Sequence, residues 1–492
     1  MICAPLAEPT LSQARRAMLT AAARADIVEL RLDQLDELPD ADGLAALLKD
    51  RPCPVIITNR PASEGGKSAW PDEVRLKVLQ AAIELGADYV DVELGFADRL
   101  KRRPSTKIIV SYHNFTLTPL DLPAIYSRIV RAGADVAKLA TMANSIIDNL
   151  RMFEVLRHAS VPCIGLCMGE AGMISRILGR KLGTMLTYAP LDPAKPTAPG
   201  QVSLDDMVGL YNYRSINSDT QVYGVIGNPI AHSISPHIHN AAFRSLGINA
   251  VYVPFKVEGD VCNFIEAFRG LPVQGYSITI PHKQDAMRAM DEVDPVCRSI
   301  GAVNTVVNRK GRLVGSNTDW TAAIEAIERG LGGEGLPGKR VALIGAGGTA
   351  RAIAFGLKAK GASTCIYNRT VDRAAKLAEE VGCEWRSLDE IERLEADIIA
   401  NSTSVGMHPN VDATPVPRSA LRPDTVVFDA VYNPVWTRLL CDAEEVGCPT
   451  ATGLEMFVNQ AVQQFKTWTG LEAPRELMEL VASEKLAETA DH

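Results

Sequence analysis

Eight short apolar runs, separated by segments of helical periodicity, fill the first 215 residues and restrict what that stretch can become. They are "MICAPLA" (1–7), "DIVELRL" (26–32), "CPVIITNR" (53–60), "DYVDVEL" (88–94), "KIIVSYH" (107–113), "DVAKLAT" (135–141), "VPCIGLCMG" (161–169) and "TMLTYAP" (184–190). Stretches such as "DEVRLKVLQAAIELGA" and "PLDLPAIYSRIVRAGA" between them repeat apolar residues at helical spacing. An open doubly wound sheet alternates in the same way, but strands numbering eight favour closure. The prediction is a (β/α)8 barrel near the small end of its size range, with its chemistry at the carboxyl ends of the strands. Polar residues do collect there. Glu29 and Arg31 fall late in the second run, Arg60 ends the third, Glu93 lies late in the fourth and His113 ends the fifth. Lys138 lies on the sixth, Arg176 follows the seventh in "MISRILG", and "TAPGQ" (197–201) follows the eighth.

A lysine inside the sixth run is unusual, because a buried ammonium is costly unless it is paired or neutral. Either Lys138 snorkels until its charge reaches water, or desolvation favours a free amine that can attack a carbonyl. Six strands delivering such residues to one face weigh towards the second reading. A lysine amine, a nearby histidine and several arginines suit a Schiff base on an anionic keto acid, the histidine moving the protons. On these residues alone the barrel is a class I aldolase or a dehydratase.

At 492 residues the chain is too long for one core and suggests about two to four domains. Its formal charge of -8 and pI near 5.6 argue against a nucleic-acid or anionic-membrane binder. No apolar run approaches the ~20 residues of a bilayer span, and "MICAPLAEPT" resembles neither a signal peptide nor a transit peptide. The ten cysteines lack CxxC or Cys/His zinc spacing, so reduced thiols, no metal site and a cytoplasmic location are expected.

The second half opens after "YNYRSINSDT" (211–220), whose polarity and lack of periodicity read as a linker. Strand and helix patterns alternate to about residue 320, and "GLGGEGLPGK" (330–339) marks another break. In "RVALIGAGGTARAIAFGL" a strand leads through a glycine turn into a helix, and Gly345, Gly347 and Ala350 fit G-x-G-x-x-A. Such a turn lets a pyrophosphate approach the helix N-terminus. The next strand ends in Asn368-Arg369-Thr370, where an NAD site usually has an acid; arginine instead pairs with a 2′-phosphate, so NADP is expected. Upstream, Ser233 and Ser235 stand two apart in a turn, ready for a carboxylate, while Thr279, Lys283 and Asp319 offer hydrogen bonds and a proton relay to a reduced ketone. Serine capping and a surface lysine would account for the same residues without chemistry.

Two family resemblances sharpen these readings. "ELRLD", "TNRPASEGG", "SYHNF", "VAKLAT", "SRILG" and "APGQ" resemble type I 3-dehydroquinate dehydratase over residues 1–215. That resemblance implies Lys138 as the Schiff-base lysine, His113 as the proton shuttle and Glu93 as the carboxylate orienting the histidine. It further implies Arg176 on the substrate carboxylate, Glu29, Arg31, Arg60 and Gln201 on hydroxyls or the carboxylate, and Thr197 where the family commonly has serine. "GNPIAHSISPHIHN", "TIPHK", "GAVNT", "GSNTD", "GAGGTARA", "YNRT", "NSTSVGM", "DAVYNPVWT" and "TGLEMFVNQAVQQF" resemble shikimate dehydrogenase over residues 222–480. The implied substrate contacts are Ser233, Ser235, Thr279, Asn304, Gln460 and Tyr432, with Lys283 and Asp319 catalytic. The implied NADP contacts are Gly345, Ala346, Gly347, Gly348, Thr349, Ala350, Asn368, Arg369, Thr370 and Gly453. Ala322 departs from the family, which often has glycine there.

The expected organisation is a dehydratase barrel (1–215), a substrate lobe (221–328, completed by helices at 455–485) and a Rossmann NADP lobe (329–454). The two resemblances imply consecutive reactions, dehydration of 3-dehydroquinate and NADPH-dependent reduction of 3-dehydroshikimate to shikimate. Its partners are then small molecules rather than nucleic acid or membrane, and a homodimer is compatible with the sequence. The rivals are an NAD-dependent catabolic quinate/shikimate dehydrogenase fused to a dehydratase, and a binding protein that has lost turnover.

Overall fold

The computed structural model describes residues 1–231 and 233–490. The chain forms two compact units, Met1–Gln221 with Asn249–Gly259, and Val222–Ile248 with the residues from 260 onward.

The first unit is built on β1 (Ile2–Leu6), β2 (Ile27–Arg31), β3 (Val55–Thr58), β4 (Tyr89–Glu93), β5 (Lys107–Asn114), β6 (Val136–Met142), β7 (Cys163–Met168) and β8 (Thr187–Tyr188). They form one eight-stranded sheet in the order β7-β6-β5-β4-β3-β2-β1-β8. The segment at 184–190 keeps only two residues as strand, and Pro190, with no N–H to give a ladder, prevents its extension at the carboxyl end. It still forms the seam. The Met185 N–H donates to the Cys163 carbonyl at 2.7 Å, and Thr187 and Ala189 donate to Met1 and Cys3 at 3.0 and 2.9 Å. The result is a near-closed parallel barrel of the TIM type.

Alternation along each strand sorts the side chains. Ile27, Ile56, Ile109, Val136 and Ile164 fill the barrel interior, whereas Val28, Leu30, Val55, Val90, Val110 and Leu139 pack beneath the helices. Two residues further along, the inward positions turn polar: Glu29, Asp91, Ser111 and Lys138 are all buried. Strand register sets Ser111 beside Lys138 on one side and beside Glu93 on the other. The stretch at 211–220 is not a loose linker. Tyr211, Tyr213 and Ile216 are buried, and Arg214 bonds to Asp26 at 3.1 Å; three isolated apolar side chains anchor it, too few to show as a pattern.

Two further six-stranded sheets follow. One holds β9 (Gln221–Gly227), β10 (Ala250–Lys256), β11 (Val273–Ile278), β12 (Glu292–Val293), β13 (Thr305–Arg309) and β14 (Arg312–Ser316), in the order β10-β9-β11-β13-β14-β12. The other holds β15 (Arg340–Ile344), β16 (Ser363–Asn368), β17 (Glu384–Ser387), β18 (Ile398–Asn401), β19 (Val426–Asp429) and β20 (Thr450–Ala451). Its order, β17-β16-β15-β18-β19-β20, is the doubly wound 3-2-1-4-5-6 arrangement, whose crevice lies where the order reverses between β15 and β18. The helix Gly453–Thr469 then returns to the earlier sheet, where Trp468 Nε1 donates to the Val306 carbonyl at 3.0 Å and Ser277 Oγ donates to Gln464 Oε1 at 2.8 Å. Ala322, the departure from the family pattern, is fully buried in the helix Asp319–Gly330, and its carbonyl accepts from Asn459 Nδ2 at 3.1 Å.

Candidate active sites

At the carboxyl end of the barrel, Glu29, Arg31, Arg60, His113, Lys138, Arg176, Thr197 and Gln201 line one cavity. Lys138 Nζ donates to Asp91 Oδ2 at 2.7 Å and to Glu29 Oε1 at 3.2 Å, and the Tyr188 ring centre lies 4.6 Å away. Glu29 also accepts from Thr58 Oγ1 at 2.8 Å. Burial and the nearby Arg60 and Lys138 cations hold His113 well below its ordinary 6.5, so its imidazole is neutral. Its Nδ1 lies 2.9 Å from Glu64 Oε2.

That contact corrects the expectation for Glu93. Glu93 is absent from the cavity lining and binds two arginines instead: Oε1 accepts from Arg60 Nη1 at 2.7 Å and Oε2 from Arg75 Nη2 at 3.1 Å. Arg75 comes from the apolar face of the helix Asp72–Glu84 and is fully buried, so it needs a buried anion and takes Glu93. Glu64 comes from the turn after β3, within "PASEGG", where a one-turn helix (Ala62–Glu64) aims it back over the cavity. Gly65 makes this possible: it has φ +77°, and a Cβ there would sit 2.1 Å from Phe115, the residue that stacks on His113 at 6.4 Å. Burial pushes the Glu64 carboxyl up to about 7.

Arg176 stands on the short helix Met173–Leu178; its Nη2 donates to the Pro199 carbonyl at 3.3 Å, while Nε and Nη1 are buried without a partner. A buried guanidinium short of two acceptors, brought down by burial to about 10, is a site for an anion. Gln201 Oε1 accepts from the Thr197 N–H at 2.8 Å and holds the loop above it. Arg31 is occupied by Asp33 at 2.9 and 2.8 Å.

In the second unit, Lys283 Nζ lies 2.6 Å from Asp319 Oδ2. Asn304 Nδ2 donates to Asp319 Oδ1 at 2.8 Å and to Gln460 Oε1 at 3.2 Å, joining four expected residues in one network. Thr279 follows β11 beside it, since the Ile278 N–H donates to the Asn304 carbonyl at 2.8 Å. Ser233 and Ser235 bond to each other, Ser235 N–H to Ser233 Oγ at 3.4 Å, where the helix Ser235–Ser245 begins. Tyr432 stands apart from the network, half exposed and stacked on Phe457 at 5.1 Å.

The turn Gly345–Gly348 leads from β15 into the helix Gly348–Ala359 at the crevice of the third sheet. Gly345 has φ +112°, and a Cβ there would meet Ser402 Oγ at 2.6 Å; Gly347 and Gly348 face open space, and Ala350 is fully buried. Asn368 Nδ2 braces the following loop by donating to the Thr370 carbonyl at 2.8 Å. Arg369 is exposed there and makes no hydrogen bond or ion pair among the described residues. Backbone approaches Gly453 closely too, since a Cβ would lie 2.3 Å from the Val431 carbonyl oxygen. A glycine cradle at a helix N-terminus with an uncommitted arginine on the next loop fits a dinucleotide bearing an extra phosphate.

Asp91 and Glu64 are the residues that strand-end reasoning passed over. Asp91 was detectable, since it lies two positions before Glu93 and must share its inward face. Glu64 sits in a turn, where periodicity says nothing.

A lyase-type barrel with a buried lysine and a reductase with a dinucleotide cradle thus share one chain. Family comparisons match the same parts: type I 3-dehydroquinase over residues 2–218, the shikimate dehydrogenase substrate-binding domain over 225–306, shikimate/quinate 5-dehydrogenase over 329–429 and the shikimate 5′-dehydrogenase C-terminal domain over 453–479. The chain is 45% identical to the chloroplastic bifunctional 3-dehydroquinate dehydratase/shikimate dehydrogenase of Arabidopsis thaliana, across 97% of this chain and 83% of that protein. It is 44% identical to the NADP(+) shikimate dehydrogenase of Pyrococcus furiosus, across 54% of this chain and 97% of that one. A solved shikimate dehydrogenase in complex with NADP+ matches 55% of this chain and 97% of its own at 40% identity and TM-score 0.53. The chain belongs to the bifunctional 3-dehydroquinate dehydratase/shikimate dehydrogenase family of the shikimate pathway. No described helix is long and apolar enough to cross a membrane.

Proposed function

We propose that Lys138, His113 and Glu64 carry out the dehydration of 3-dehydroquinate, and that Lys283 and Asp319 serve the reduction of 3-dehydroshikimate. The observation behind the first reading is a buried lysine in the same cavity as a neutral histidine and an arginine short of two acceptors. Arg176 takes the substrate carboxylate by a charge-assisted contact. The Lys138 amine adds to the ketone, and loss of water leaves an iminium that acidifies the adjacent carbon. His113, with Nδ1–H donated to Glu64, presents a free Nε2 lone pair and removes that carbon's proton. The same proton leaves with the departing hydroxyl as water, and hydrolysis of the imine frees the enone and Lys138.

In the second unit the Lys283–Asp319 pair lies beside Asn304 and Gln460, so an ammonium is ready to give a proton to the oxygen of a ketone as it becomes an alkoxide. NADP is the cofactor that the Gly345–Ala350 turn and Arg369 suit, and when bound as NADPH it supplies the hydride. Thr279, Ser233 and Ser235 supply hydroxyls to the ring substituents and carboxylate in this reading, which rests on their motifs. The ten free thiols suit a reducing compartment, the cytoplasm in our reading.

Mixing the protein with 3-dehydroquinate and NADPH tests both halves: shikimate should form, and borohydride added without NADPH should leave an adduct on the Lys138 peptide. An adduct on another lysine, or accumulation of 3-dehydroshikimate with NADPH unused, overturns the corresponding half.

A further inference from the structure

Asp91 has no part in the chemistry above, yet both oxygens of its carboxylate are engaged in the barrel interior. It is 1% exposed and absent from the cavity lining, so it does not reach the substrate. Oδ2 accepts from Lys138 Nζ at 2.7 Å; Oδ1 accepts from Ser111 Oγ at 2.7 Å and lies 2.7 Å from Arg60 Nη2. Burial would favour the neutral acid, but Arg60 and Lys138 outweigh it and hold the carboxyl well below its usual range. Asp91 is therefore an anion in the resting site.

We propose that Asp91 is the counter-ion of the Lys138 side chain, a positioning residue that fixes Nζ at the floor of the cavity and balances its charge as ammonium and again as iminium. This rests on the Schiff-base reading. Groups from five other strands or their ends face the pair: Cys3 on β1, Glu29 on β2, Arg60 after β3, His113 on β5 and Tyr188 on β8. Three cations and three anions are linked here, and Asp72 also reaches Arg75 at 3.1 Å. Lys138, Arg60 and Arg75 are matched by Asp91, Glu29 and Glu93 through contacts of 2.7 to 3.2 Å. Glu29 is the weaker partner of Lys138, being 3.2 Å away and shared with Thr58. Imine formation exchanges N–H bonds for a C=N bond and leaves the positive charge on the same nitrogen, so one fixed anion serves both states.

The test follows the pH dependence of borohydride trapping in the full-length chain. In Asp91→Asn the pH of half-maximal trapping should fall by about one unit or more, the size of effect expected on losing one close counter-ion. At neutral pH kcat for dehydration should drop about tenfold or more as Nζ loses its fixed place, with KM held within about threefold. Asp91→Glu keeps the charge and should restore the unaltered trapping midpoint. An unmoved midpoint in Asp91→Asn, or an equal fall in Asp91→Glu, overturns the proposal. If Asp91→Asn does not fold, Asp91→Glu decides alone: a lower kcat at unchanged KM and midpoint supports the counter-ion, and unaltered kcat or a shifted midpoint overturns it. Absence of any adduct on Lys138 in the unaltered protein overturns the Schiff-base reading and this proposal together, whereas trapping that is normal but insensitive to Asp91 overturns this proposal alone.

Discussion

Glu64 and His113 are joined by one hydrogen bond, and whether the pair holds one proton or two decides whether the barrel has a base. With Glu64 ionised, Nδ1–H is donated to it and Nε2 is free; with Glu64 protonated, the acid donates to Nδ1 and the free lone pair is lost. Because burial raises Glu64 to about 7, dehydration should decline as pH falls through that value. Glu64→Gln cannot take up that proton, so its kcat/KM profile should lose the step near 7 and fall only at lower pH, on a plateau about ten- to a hundredfold below the original. A Glu64→Gln profile with the step still in place would assign it to another group. Arg369 supports a second prediction: charge-assisted contacts to a phosphate are worth roughly 1.5–3 kcal/mol, so Arg369→Ala should weaken NADPH by about ten- to a hundredfold and leave NADH nearly unchanged. Equal losses for both would give Arg369 a structural role. These residues also mark the limit of what sequence conveys. Periodicity correctly turned Glu93 inward, but its partner Arg75 lies on a helix whose buried face is read as apolar. Only folding brings Arg75 to Glu93 and leaves the histidine to Glu64.

The helix Gly453–Thr469 shows the same division among elements. Its amphipathic pattern and its Thr452/Glu455 capping box are local and legible, whereas the sheet it covers was laid down far earlier in the chain. Gln464 makes that long-range connection: it accepts from Ser277 Oγ at 2.8 Å and donates to Thr305 Oγ1 at 3.1 Å, all in the interior. Gln464→Ala removes bonds from buried polar groups, at a cost of about 1–3 kcal/mol. Thermal unfolding followed by loss of reductase activity should therefore move to lower temperature, while loss of dehydratase activity should not. An unchanged reductase midpoint would mean that water or neighbouring groups take over these bonds. The eight barrel strands were legible for the converse reason: each is a local alternation, and the eighth departs furthest from its run, keeping only Thr187–Tyr188 of 184–190.

On the scale of the whole molecule, the residues of the dehydratase cavity all come from the first unit and the Lys283–Asp319 network all comes from the second. Lys138→Ala should thus abolish dehydration while NADPH oxidation with added 3-dehydroshikimate proceeds normally. Lys283→Ala should leave 3-dehydroquinate consumption intact and let 3-dehydroshikimate accumulate, with the loss mainly in kcat. Failure of both reactions in either folded variant would contradict separate sites. The bond from Asn304 to Gln460 spans 156 residues, and this has a consequence for how the protein is made. Synthesis is vectorial, and the barrel sequence leaves the ribosome with every residue of its cavity present. The reductase network cannot close until Gln460 emerges, roughly 10–50 s later at about 5–20 residues per second. In each nascent chain the dehydratase cavity therefore has all its residues first, and through that interval the later sheet waits without the helix that covers it.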